Sequence, residues 1–146
     1  MPLITMLRAK LPAAAVLVCA CATAFAAPES APHAAACVAA LAAEETVLAQ
    51  TVKAGEPVGT QLLKVVRSGI TIIGRQYLAG LREAEARQLL KAAQQEFETL
   101  PPAAAGTRQV ECLSEGEALF ENASVLERSL ITTAAQHRIK RITKPT

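Results

Sequence analysis

Cys37 and Cys112 are the feature that most restricts how this chain can fold. They enclose a loop of about 75 residues. If the chain matures where thiols oxidise, its fold must bring these two positions together. Two cysteines allow a single intramolecular pairing. Closing a loop of that length removes entropy from the unfolded chain, with a ceiling of about 4–5 kcal/mol. Against a typical total stability of ~5–15 kcal/mol, such a staple would be a large share.

The N-terminus predicts an oxidising destination. Arg8 and Lys10 form a short positive region, and an uncharged apolar run follows from Leu11 to Ala20. Ala24 and Ala26 are the small residues of an A-x-A cleavage signal, so residues 1–26 read as a signal peptide cut after Ala26. Pro28 just beyond interrupts any helix continuing from the apolar run. That run is far shorter than the ~20 residues of a spanning helix. The expected location is therefore periplasmic or secreted. Of four cysteines, Cys19 and Cys21 leave with the signal. An alternative follows from Val18-Cys19-Ala20-Cys21, which loosely resembles a bacterial lipobox: acylation at Cys21 would make an envelope-anchored lipoprotein.

Cleavage also changes the charge balance. The chain carries a formal net charge of +2. Removing Arg8 and Lys10 from its 15 basic residues leaves 13, equal to its 13 acidic residues. The precursor's basic balance therefore gives no support to a nucleic-acid partner. Alanine dominates, Trp is absent, and aromatic content is 3%. Such usage favours helices with a small-residue core over sheets.

Periodicity divides the remainder into a short disordered leader (27–33), a helical domain (34–142) and a disordered tail (143–146). A first helix is predicted over 34–53, with Cys37, Leu41, Leu48 and Val52 at helical spacing. Gly55 stops it and Pro57 opens the second, over 57–78. The β-branched run Ile70-Thr71-Ile72-Ile73 would suit a strand, but a lone strand has no partner here. A third helix is predicted over 82–99, with Glu83 and Arg87 as an i,i+4 pair and Leu89, Leu90, Ala93 and Phe97 buried. Pro101-Pro102 stops it, and 103–106 reads as a loop. The fourth is predicted as the longest, ending near Arg141. It starts either at Thr107 or at the S-x-x-E capping box Ser114-Glu115-Gly116-Glu117. Its apolar stripe runs through Cys112, Gly116, Leu119, Ala123, Leu126 and Leu130.

Four helices in an up-down bundle would set Cys37 beside the end of the fourth helix, away from Cys112. One resolution merges the second and third helices into one bent helix through Gly74 and Gly80. The expectation is therefore all-α: a small bundle of three to four helices stapled by the Cys37–Cys112 disulfide, with connectivity undecided.

Motifs for chemistry are sparse. No Asp is present, so a Ser-His-Asp triad is impossible, and neither His33 nor His137 sits in a nucleophile motif. The glutamate pairs are neighbours or two apart, and so point to different sides of a helix. The Gly69–Gly74-Arg75 spacing lacks the Lys and Ser/Thr of a phosphate loop, and there is no C-x-x-C-H for haem. Zinc would need His33 and His137 beside the cysteines. Neither C-x-x-C nor H-x-x-x-H spacing is present, so no metal or other cofactor is expected. Asn122-Ala123-Ser124 fits a glycosylation sequon, placed mid-helix. Arg138, Lys140, Arg141 and Lys144 form the one local charge concentration, a candidate contact for an anionic surface.

The leading expectation is a non-enzymatic exported protein that binds another macromolecule, most simply a protein partner in the bacterial periplasm. The alternative is a carrier of a small molecule or metal in the bundle interior, with a cavity lined by Tyr77, Phe97, Leu119 and Phe120.

Overall fold

The structure is a computed structural model and describes residues 28–144. The expected signal segment, its cleavage site and Cys21 lie outside the described residues. Five helices follow one another: α1 (Ala31–Lys53), α2 (Gly59–Leu78), α3 (Glu83–Glu98), α4 (Pro102–Glu121) and α5 (Val125–Ile142). Among the described residues the all-α class holds, and the helices number five where three to four were expected.

Two differences at the helix ends have local causes. Ala31 to His33, expected in the leader, belong to α1, because Pro32 falls in the first turn, where a missing N–H costs no intrahelical bond. Pro102 likewise opens α4 instead of ending α3. Residues 103–106 are therefore helical, and both expected starts, Thr107 and Ser114, fall inside α4.

The larger correction concerns the long fourth helix, which breaks at Asn122–Ser124. Ser124 Oγ accepts the backbone N–H of Glu127 at 3.3 Å, while the Glu127 carboxylate accepts that of Ser124 at 2.8 Å. This reciprocal capping box starts α5. The Asn122-Ala123-Ser124 sequon thus lies in the break, not within a helix. Gly55 and Gly80 adopt positive φ, 91° and 102°, and close α1 and α2, a conformation that favours glycine. Gly74 lies within α2, but the break at Gly80 separates α2 from α3, so the merged second and third helix does not form.

Helix α1 packs against α2, α3 and α4, and α2 packs against α1, α4 and α5. Helix α1 is long and apolar enough to cross a membrane, but here its apolar side is the core. Buried Ala34, Cys37, Leu41, Leu48 and Ala49 meet Leu62, Val65, Val66 and Ile72 of α2, with Cys112 and Ala135 completing the cluster. Alanines let the helices approach closely: Ala35 and Ala39 of α1 pack with Ala93 of α3. The run at 70–73 is helical, and the Thr71 hydroxyl donates to the Arg67 carbonyl at 2.8 Å.

Cys37 and Cys112 are bonded, with Cα atoms 5.1 Å apart. Around the bridge, His33 meets Glu115 and Gln109 reaches the carbonyl of Ala40. Residue numbers rise along α1 as they fall along α4, so the two helices are antiparallel. The expected conflict between an up-down arrangement and the disulfide came from giving the last helix the wrong limits. Once α4 spans 102–121, Cys112 lies at its middle, opposite Cys37.

Helices α2 and α4 approach closely. A Cβ built on Gly116 would stand 2.4 Å from the Cβ of Ser68, which is itself fully buried. Next to this crossing, the Arg67 guanidinium lies 3.9 Å from the centre of the Phe120 ring and 3.7 Å from Glu117. Cation–ring attraction and an ion pair thus hold the same side chain.

Candidate functional site

An open apolar groove lies between the C-terminal half of α2 and the start of α5. It encloses about 310 Å³ and is lined mainly by Ile70, Tyr77, Leu78, Leu130 and Ile131, with Arg75 and Glu127 as its charged members. Two of its aliphatic lining residues are exposed, Leu78 at 80% and Leu130 at 62%, and Leu126, one turn before Leu130 on α5, is 69% exposed. Single exposed apolar residues are ordinary, whereas here Leu78 and Leu130 line one groove.

The break before α5 produces this surface. In the sequence, Leu126 and Leu130 continue the stripe of Cys112, Gly116 and Ala123, and so read as buried. A new helix axis from Ser124 onward turns them outward, while Ala135 and Ile139 farther along α5 remain on the core. Glu127 is held at the groove by its capping role. The hydrogen bonds with Ser124 keep its carboxyl below the usual carboxylate range, and the positive charge of Arg75 acts in the same direction.

A second feature surrounds the disulfide. His33 and Cys37 are one turn apart on α1, and Cys112 and Glu115 are one turn apart on α4. The His33 Nε2 lies 2.7 Å from a Glu115 carboxylate oxygen, and the Cys37 sulfur lies 3.8 Å from the same nitrogen and 3.9 Å from the same oxygen. A cavity of about 200 Å³ opens beside them, with Arg108 and Glu111 on its wall. His137, which a zinc site built from both histidines would have required, is on the exposed side of α5. Glu115, and not His137, is the side chain that meets His33 beside the disulfide. An H-x-x-x-C spacing answered by C-x-x-E is the signal that would have revealed it.

The other expected residues are dispersed. Arg138 does not belong to a free basic patch, because its Nε donates to both carboxylate oxygens of Glu45, at 2.8 and 3.0 Å. Lys140, Arg141 and Lys144 are exposed at the end of the chain. The four residues proposed to line an interior cavity occupy different places. Phe97 packs with the α1–α3 alanines, Phe120 lies beneath Arg67, Leu119 backs the main core, and Tyr77 borders the groove. Many glutamates engage separate partners: Glu45 with Arg138, Glu96 with Arg108, Glu117 with Lys64 and Arg67, and Glu121 with Arg128.

Comparisons with protein-family models, with curated proteins and with solved structures give no match. The disulfide fits an oxidising compartment.

Proposed function

We propose that this is an exported, non-enzymatic binding protein that captures an apolar segment of another protein in the α2–α5 groove. The observation that carries the reading is the exposure of Tyr77, Leu78 and Leu130, which line an apolar groove, with Leu126 exposed one turn before Leu130 on α5. A groove between helices is suited to the apolar face of an amphipathic helix, whose anchors recur at i, i+3 or i+4, and i+7. The disulfide suits this role, since it fixes α1 to α4 and gives α2 a rigid support. Arg75 and Glu127, of opposite sign within the groove, would set the direction of a bound helix through its end charges.

The test is affinity capture from periplasmic extract, comparing the wild-type protein with a Leu78→Glu/Leu126→Glu/Leu130→Glu variant. Val110→Glu, at an exposed apolar site on α4, is the control. A partner retained by the wild type and by Val110→Glu, and lost from the triple variant, is the expected result. Equal capture by all three proteins, with circular dichroism showing each one folded, would refute the groove as the binding surface.

A further inference from the structure

We infer that the reduced protein binds a divalent transition metal, with zinc the best match, through His33, Cys37, Cys112 and Glu115. The disulfide and the metal would then be alternative links between the same two helices. The ligand set consists of one nitrogen, two sulfurs and one oxygen, which are the donor types zinc prefers in four-coordinate sites. The spacing suits it as well: i,i+4 on α1 and i,i+3 on α4 each put two donors on one helix face, and the antiparallel pairing turns those faces toward each other.

The distances agree with this assignment. A tetrahedral ion with Zn–S near 2.3 Å and Zn–N near 2.0–2.1 Å has donor–donor edges of roughly 3.3–3.8 Å. The Cys37 sulfur is already 3.8 Å from the His33 nitrogen and 3.9 Å from the Glu115 oxygen. The single donor atoms of His33, Cys37 and Glu115 all lie within 4.8 Å of one another. The His33–Glu115 contact, at 2.7 Å, must open by about half an ångström, and the two sulfurs, bonded in the disulfide, must part to an edge of roughly 3.8 Å once reduced, which brings Cys112 in as the fourth ligand. Both of these side chains are partly exposed, at 64% and 40%, so they can move. The adjoining cavity, about 200 Å³, gives an ion access from solvent, a requirement for any usable site.

The disulfide excludes the metal, because thiolates are the ligands and a disulfide supplies none. The exchange balances as follows. A dithiol reductant transfers two electrons and two protons to the Cys37–Cys112 bond, which becomes two thiols while the reductant closes its own disulfide. The metal then displaces both thiol protons. Neutral His33 coordinates through Nε2 and ionised Glu115 through one oxygen.

The experiment uses the folded protein, reduced with a phosphine and then desalted without oxygen. Cd²⁺ is titrated in as the probe, followed by the thiolate-to-cadmium absorption in the ultraviolet, with Zn²⁺ as competitor. One equivalent should bind to the reduced protein and none to the oxidised one. His33→Ala and Glu115→Gln should each weaken binding by at least the ~10–100-fold that even supporting partners of a metal ligand cost. His137→Ala should leave the affinity unchanged. If reduction unfolds the chain, the same titration is read by far-ultraviolet circular dichroism. Helix recovered by metal in the wild type, but not in His33→Ala or Glu115→Gln, supports the site. No thiolate band and no recovered helix overturns it, as does an affinity indifferent to His33 and Glu115.

Discussion

Replacing Gly116 by alanine puts a methyl group where α4 crosses α2. The added carbon would lie 2.4 Å from the Cβ of Ser68 and 2.9 Å from its Cα, whereas carbon pairs rest at ~3.5–4.0 Å. The nearer contact is short by roughly 1 Å. Its partners are a Cβ and a backbone atom of a buried helical residue, so no flexible side chain can swing aside. The helices must separate instead. Overpacking of this kind costs ~1–3 kcal/mol, and a backbone clash belongs in the upper part of that range. Alanine's better helix propensity returns up to ~1 kcal/mol. The net loss is about 1–2 kcal/mol, a fall in Tm of ~4–8 °C for a domain of this size. Urea unfolding of the disulfide-bonded protein, followed by circular dichroism, measures it. Gly69→Ala is the matched control: it is helical, and its new Cβ meets nothing within 4 Å, so it should stabilise by ~0.5–1 kcal/mol. Ser68→Gly in the Gly116→Ala background should recover part of the loss, whereas Ser68→Ala, which keeps the Cβ, should not relieve that contact. If Gly116→Ala proves as stable as Gly69→Ala, the close approach of α2 and α4 is refuted.

Two further outcomes follow from the links between helices. The double variant Cys37→Ser/Cys112→Ser should lose up to ~4–5 kcal/mol of stability in the same urea titration, and a loss below ~1 kcal/mol would mean that the bridge adds little to α1–α4 packing. At the start of α5, Ser124→Ala should cost ~1 kcal/mol. Glu127 has a folded-state pKa below its ordinary 4.5, so its stabilising effect is present above the unfolded-state pKa and fades as pH falls through the folded value. Glu127→Gln should therefore be less stable than the wild type at pH 7. Thermal scans toward pH 2 should show the two converging, and a gap that widens on acidification would contradict the capping geometry.

The helical class, the disulfide and the limits of the first three helices were legible within a few residues, because each rests on local signals: periodicity, Gly55, Gly80 and the paired cysteines. The limits of the later helices were not, because the sequence offers two equivalent capping boxes, Ser114-x-x-Glu117 and Ser124-x-x-Glu127. Tertiary contacts decide between them. Cys112 must face Cys37 while Gly116, one turn later, seats against Ser68. Both anchors must therefore stand on one unbroken helix, and a start at Ser114 would fall between them. Nothing of that kind spans Ser124, so its capping box is free to act and the break falls there. The same choice governs both candidate sites. With α4 continuous through Ser114, Glu115 follows Cys112 by one turn and meets His33 across the bridge. With the break at Ser124, Leu126 and Leu130 leave the buried stripe, and Leu130 lines the groove. An apolar stripe in the sequence thus predicts burial only as far as the helix axis persists, and Leu126 and Leu130, just beyond the break, are exposed.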